Sequence, residues 1–381
     1  MNTIFKIISY ACAIFVLLFT ASCEQKQKTT AEIFAEEQSG VCLVLNACYY
    51  EIHLPTGKVW YCSGIDEDGD LKDLTLDEDE AKKNRSMLTG TAFFINKEGA
   101  LLTNRHVASP QVTPEQLRQG TKSVLSSLRQ IMEYAQQQLA QQYQELENEK
   151  SNYIEYDDYG NQWVDREDMA KVEAKQQELS DSYDEMTETI NGLDGIDVNA
   201  IRIVPVSEIG IAYNNTFATK PEDFLDKNPC VLVRASKDED VDLALIQLKD
   251  KKTPENAYVF SYIEEMKQQS VVDWAKETLG MTKKRKELTI GDQLSLIGYN
   301  AGPILAETKA GIKAQMTTGQ VTQLSDGSRL LYSIPALQGS SGSPVVDADG
   351  KLVAVNFAKL SGTESFNFGI PLKQIRKFIG E

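Results

Sequence analysis

The chain has 381 residues, 41% hydrophobic and 25% charged, enough apolar material to fill a real core in one large domain or two modest ones. Its 39 basic and 56 acidic residues leave a net charge of -17, which argues against a nucleic-acid partner, because nothing here could neutralise a run of phosphates. Acidity otherwise bears on solubility and names no partner.

Lys6 is followed by an apolar run over residues 7–19 and then by Thr20-Ala21-Ser22-Cys23. A charged start, an apolar stretch too short to span a bilayer comfortably, and small residues before a break have the form of an export signal over residues 1–22. Small residues directly before Cys23 also resemble a bacterial lipobox. That resemblance implies lipidation of Cys23 and a membrane anchor in the cell envelope, periplasmic or at the surface. Simple cleavage and secretion is the alternative. Residues 23–39 begin polar and read as a tether. Cys42, Cys48, Cys62 and Cys230 would then lie outside the cytoplasm, where thiols can oxidise. Cys48–Cys62 with Cys42–Cys230 is one reading, and four buried free thiols is the other.

Residues 41–52 and 58–61 read as short strands about the turn Leu54-Pro55-Thr56-Gly57. Residues 66–80 are dominated by Asp and Glu, the mark of a solvated loop. Asp66, Asp68 and Asp70 alternate, but Gly and a terminal Glu do not fall where a calcium loop needs them, so no metal is assigned. Strands resume at residues 90–95 and 100–103.

The pattern then changes. Leu125, Leu128, Met132, Ala135, Leu139 and Leu146 follow a 3-4 spacing, as do Met169, Val172, Leu179, Tyr183, Met186 and Ile190, with Gln142 and Gln176 as polar exceptions. Such stripes must be buried against something. The polar link over residues 151–164 is too short for a domain, so residues 113–192 are expected to form an antiparallel coiled-coil hairpin inserted into a β protein. Its tip, Tyr153, Tyr156, Tyr159 and Trp163, suits contact with a partner or a second copy of the chain. Strand signals return at residues 200–206, 230–234, 243–248, 293–298, 317–323, 330–334, 344–346 and 352–357, before a short amphipathic helix over 372–379. Many short strands of this kind predict a sandwich or a pair of barrels.

Three constellations carry chemistry. Leu101-Leu102-Thr103-Asn104-Arg105-His106-Val107 places a histidine at the end of an apolar strand, held so that its ring can enter a cleft. Imidazole is the side chain best suited to proton transfer near neutral pH. The other histidine, His53, sits by the hairpin turn and reads as exposed. Asp240-Val241-Asp242-Leu243-Ala244 places a carboxylate directly before a strand, where it can orient a ring nitrogen. In Gln338-Gly339-Ser340-Ser341-Gly342-Ser343-Pro344 a hydroxyl is projected from a tight turn, with glycines free to aim backbone N–H groups at a developing oxyanion.

Together these segments resemble the trypsin-like serine proteases, and in particular the bacterial Deg (HtrA) branch. Gly90-Thr91-Ala92-Phe93-Phe94-Ile95 with the histidine segment is similar to that branch's strand pair before its catalytic His. Asp242-Leu243-Ala244-Leu245 resembles its Asp motif. Gly339-Ser340-Ser341-Gly342-Ser343-Pro344 fits its G-x-S-G-x-P loop, and Asn367-Phe368-Gly369-Ile370-Pro371 its closing strand. The resemblance implies two six-stranded antiparallel β-barrels over residues 40–381, apart from the insertion. It implies a catalytic triad of His106, Asp242 and Ser341, an oxyanion hole from the amides of Gly339 and Ser341, and no cofactor. The substrates would be proteins or peptides. Pro335, Ala336, Asn356, Phe357 and Ala358 would line the first specificity pocket; none is acidic, so a small or apolar residue is expected there. Departures are Ser343 in place of a second Gly, the helical insertion, and no PDZ domain after the last helix. A non-catalytic scaffold lipoprotein acting through its coiled coil is the competing reading.

Overall fold

A computed structural model of the chain describes residues 28–238, 240–263, 287–359 and 367–380. Residues 1–22, expected as an export signal, and Cys23, expected to be lipidated, lie outside these residues, and among the described residues no helix is long and apolar enough to cross a membrane. The chain divides into two compact units. One comprises Met1–Asn46, Leu88–Ser109 and Glu208–Glu381; the other comprises Ala47–Met87 and Pro110–Ser207.

In the first unit the chain enters as α1 (Thr30–Glu37), where a polar tether was expected. The helix starts because the Thr29 hydroxyl accepts from the Glu32 amide at 3.3 Å while Glu32 accepts from the Thr29 amide at 2.7 Å. Ile33, 2% exposed, anchors it in the core. One antiparallel sheet is built from β1 (Val41–His53), β2 (Val59–Cys62), β3 (Ser86–Phe94), β4 (Ala100–Thr103), β5 (Arg202–Tyr213), β6 (Pro229–Ala235) and β7 (Ala244–Leu248), in the order β2-β1-β3-β4-β7-β6-β5. Strand β5 returns to pair with β1, so six strands close into a barrel and β2 stands outside it. The one-turn helix α2 (Arg105–Ala108) follows β4. A second closed barrel takes β8 (Gln293–Gly298), β9 (Gln315–Gln323), β10 (Leu330–Tyr332), β11 (Pro344–Asp347), β12 (Leu352–Lys359) and β13 (Asn367–Pro371), ordered β8-β9-β10-β13-β12-β11. The C-terminal helix Leu372–Gly380 buries Ile375 and Phe378.

The apolar runs of these strands have a direct cause. Successive strand side chains point to opposite faces. Phe94, Leu101 and Ile246 join one core cluster with Cys42 and Val44, while their neighbours Phe93 and Leu102 join another with Tyr299, Val346 and Ile375. Because both faces are buried, the sequence shows continuous apolar stretches and little alternation.

In the second unit, β2 pairs with the distal half of β1, Tyr50 opposite Cys62 and His53 opposite Val59. Residues 66–80, expected as a loop, include the short strand Leu71–Lys72 and lead into a helix, Glu78–Lys83, capped by Asp77. Asp66 uses its carboxylate on the amides of Asp68 and Asp70. The insertion is the helix pair α3 (Pro114–Glu149) and α4 (Arg166–Asp194), packed together as the heptads predict and ending two residues later than expected. Thr113 and Gln116 form a capping box ahead of Pro114. Gln176, one of the polar exceptions, is buried and donates to Glu147 at 2.9 Å. The link carries a small hairpin, Ile154–Tyr156 with Gln162–Val164, and Tyr156, Tyr159 and Trp163 are exposed there.

Cys42, Cys48, Cys62 and Cys230 are buried free thiols. The reading of Cys48–Cys62 and Cys42–Cys230 as disulfides is therefore corrected. For the first pair the reason is register, which sets Tyr50, and not Cys48, opposite Cys62. Burial pushes the Cys62 and Cys230 thiols up to about 12, far from the reactive thiolate form.

Candidate active site

The register of the first barrel brings His106 and Asp242 together. Ala244 of β7 pairs with Thr103 of β4, so continuing two residues outward on each strand sets Asp242 across from Arg105, beside α2. The Asp242 carboxylate accepts from the His106 backbone N–H at 3.0 Å and meets Nδ1 of its ring at 2.5 Å. One carboxylate thus fixes both the main chain and the ring. Asn104, fully buried, donates from its side chain to the Asp242 carbonyl at 2.7 Å and ties the two segments once more. The Asp242 side chain is 15% exposed and that of His106 39%, so the pair is anchored inside while the ring reaches solvent. Asn46 donates to the Val107 carbonyl at 3.1 Å and holds α2 from below. His53 belongs to the second unit, where it is half-buried between Glu51 and Arg202 and not exposed as expected.

Ser341 lies between β10 and β11 on two consecutive tight turns, in which the Ser340 amide donates to the Leu337 carbonyl and the Ser343 amide to the Ser340 carbonyl, each at 3.0 Å. Gly339 (φ +96°) and Gly342 (φ +86°) supply the left-handed backbone the turns require. A side chain on Gly342 would strike the Thr91 carbonyl at 2.1 Å and the Thr103 hydroxyl at 2.5 Å, so the loop is seated against the strands that present His106.

Thr91 is the bracket between the two segments. Its amide donates to the Ser341 carbonyl at 2.8 Å, and its hydroxyl donates to the Gly339 carbonyl at 2.9 Å while accepting from the Tyr299 amide at 3.1 Å. Its own carbonyl accepts from Thr103 at 2.7 Å. Every polar atom of a fully buried residue is used. Among the described residues, the amides of Gly339 and Ser341 donate to no protein acceptor. Ser343 fits where a Gly was expected because Gly298 faces it: a Cβ there would lie 1.9 Å from the Ser343 hydroxyl.

The five residues assigned to the specificity pocket do not behave alike. Pro335 is exposed, Phe357 half-buried and Ala336 buried. The Ala358 side chain lies outside the described ones. Asn356 is 2% exposed and turns its amide onto Ser340 and the Tyr332 hydroxyl. Next to it, the Arg329 guanidinium lies over the rings of Phe357 and Phe368, 5.6 and 5.7 Å from their centres, and pairs with Asp240 at 3.6 Å. Sequence reasoning gave no role to Thr91, Asn104 or Tyr332, and named Asn356 only as a pocket residue. The only signal they gave was polarity inside or beside strands that are otherwise apolar.

Residues 90–355 match the family model for a trypsin-like peptidase domain. No curated protein matches the chain.

Proposed function

As the chain belongs to the trypsin-like peptidase family, we propose that it is a serine endopeptidase acting through Ser341, His106 and Asp242. The observation that carries the reading is the 2.5 Å contact of Asp242 with Nδ1 of His106. A carboxylate there keeps the proton on Nδ1 and leaves Nε2 as the base. Nε2 takes the Ser341 proton as the hydroxyl oxygen attacks the peptide carbonyl, and the unused amides of Gly339 and Ser341 receive the oxyanion. Collapse expels the amine with the proton from His106. Water then repeats the sequence to release the acid and restore Ser341. Each oxyanion donor is worth about 3–4 kcal/mol in comparable enzymes. No acidic side chain stands among Pro335, Ala336, Phe357 and Ala358, which supports cleavage after small or apolar residues.

The likeness of residues 90–95, 242–245 and 367–371 to the corresponding segments of the Deg branch favours that branch within the family, and residues 1–23 favour export with a lipid anchor on Cys23 in the cell envelope. The exposed Tyr156, Tyr159 and Trp163 support a role for the insertion in holding a partner or a second copy. The test is intact mass after treating residues 24–381, as wild type and as Ser341→Ala, with an organophosphorus serine-hydrolase reagent. One adduct on the wild type and none on the variant is expected. No adduct on either would favour the scaffold reading.

A further inference from the structure

We infer that Asn356 is a positioning residue, which aims the Ser341 amide by holding the peptide plane that carries it; the inference rests on the peptidase reading above. The peptide between Ser340 and Ser341 is planar and trans, so its carbonyl and its N–H point in opposite directions. Whatever fixes the Ser340 oxygen therefore fixes the direction of the Ser341 N–H. The Asn356 side-chain nitrogen donates to that oxygen at 3.1 Å, sharing it with the Ser343 amide at 3.0 Å, and lies 3.2 Å from the Ser340 hydroxyl, which itself donates to the Leu337 carbonyl at 2.6 Å. A carbonyl only accepts, so it must be the amide nitrogen of Asn356 that faces Ser340. The other end, Oδ1, accepts from the Tyr332 hydroxyl at 2.7 Å, and Tyr332 is fully buried. The backbone of Asn356 grips the same loop, its carbonyl accepting from Gly342 at 2.8 Å and its amide donating to Ser343 at 2.9 Å. Asn356 and Tyr332 are buried and neither carries a charge, so no titration is needed to form the arrangement.

Asn356→Asp is the informative variant. It keeps the shape, but an ionised carboxylate offers Ser340 an acceptor where a donor is required, while a protonated one restores the donor. Labelling by the organophosphorus reagent at pH 8 should slow on the order of 10²-fold, the scale set by losing one oxyanion donor. The deficit relative to wild type at the same pH should shrink as pH falls. Tyr332→Phe, which removes only the support of Oδ1, should slow labelling less, and peptide KM should be unchanged in both. Amide hydrogen exchange over residues 339–343 should quicken in both variants. Labelling within about twofold of wild type, or a deficit equal at every pH, would overturn the inference. A wild type that takes no label would sink the peptidase reading instead. The exchange data would still decide the anchoring, since unchanged exchange overturns it and faster exchange supports it.

Discussion

Glu37 shows how a single residue sets a pH window. It is 1% exposed, its Oε2 has no partner among the described residues, and burial, with Glu36 and Asp347 nearby, pushes its carboxyl up to about 8 from an ordinary 4.5. The folded form therefore holds a proton that the unfolded chain releases. This group's contribution to stability is complete below pH 4.5 and is lost at about 1.4 kcal/mol per pH unit until pH 8. Glu37→Gln should remove that slope. In urea unfolding the variant should gain on wild type between pH 5 and 8, and parallel stability profiles would contradict the assignment. Thr91 makes the converse case. Thr91→Val keeps the volume but leaves the Gly339 carbonyl and the Tyr299 amide without their buried partner. It should cost about 1–3 kcal/mol of stability and also slow reagent labelling. A variant as stable and as reactive as wild type would deny Thr91 its bracketing role.

At the level of elements, periodicity was legible in the sequence wherever burial is one-sided. The heptads of α3 and α4 gave both helices and their pairing, since one stripe on each must be covered. Within that seam Gln176 donates to Glu147, whose carboxyl is held below its usual range by that bond and by Lys150. Glu147 is exposed and can take water in place of Gln176. Gln176→Leu should therefore raise the melting temperature by a few degrees for about 1 kcal/mol, while a clear drop would show that the polar pair is needed. Less was legible where a residue's partner lies on a distant strand. The helix Glu78–Lys83 was hidden in an acidic stretch that reads as solvated, and only the Asp77 cap marked its start.

For the whole molecule, the division into two units carries a prediction of its own. His106, Asp242, Ser341, Thr91 and Asn356 all belong to the first unit, whereas α3 and α4 belong to the second. Replacing residues 114–194 by a short Gly/Ser link should therefore leave Ser341 reactive to the organophosphorus reagent. Loss of labelling in a folded variant would make the insertion part of the active enzyme.

The sequence by itself determined the many short strands, the helix pair and the candidates His106, Asp242 and Ser341, because these are written in local spacing, period and turn chemistry. The choice of two barrels over a sandwich came from the family resemblance. Tertiary structure alone decided that Thr91 holds Gly339, 248 positions away, and that the Asn356 amide faces Ser340. It also decided that the four thiols stay free and that Ala47–Met87 joins the insertion in one unit. Such pairings are set by strand register and barrel closure, and a shift of one residue would reverse which side chains meet. A local pattern does not record that choice.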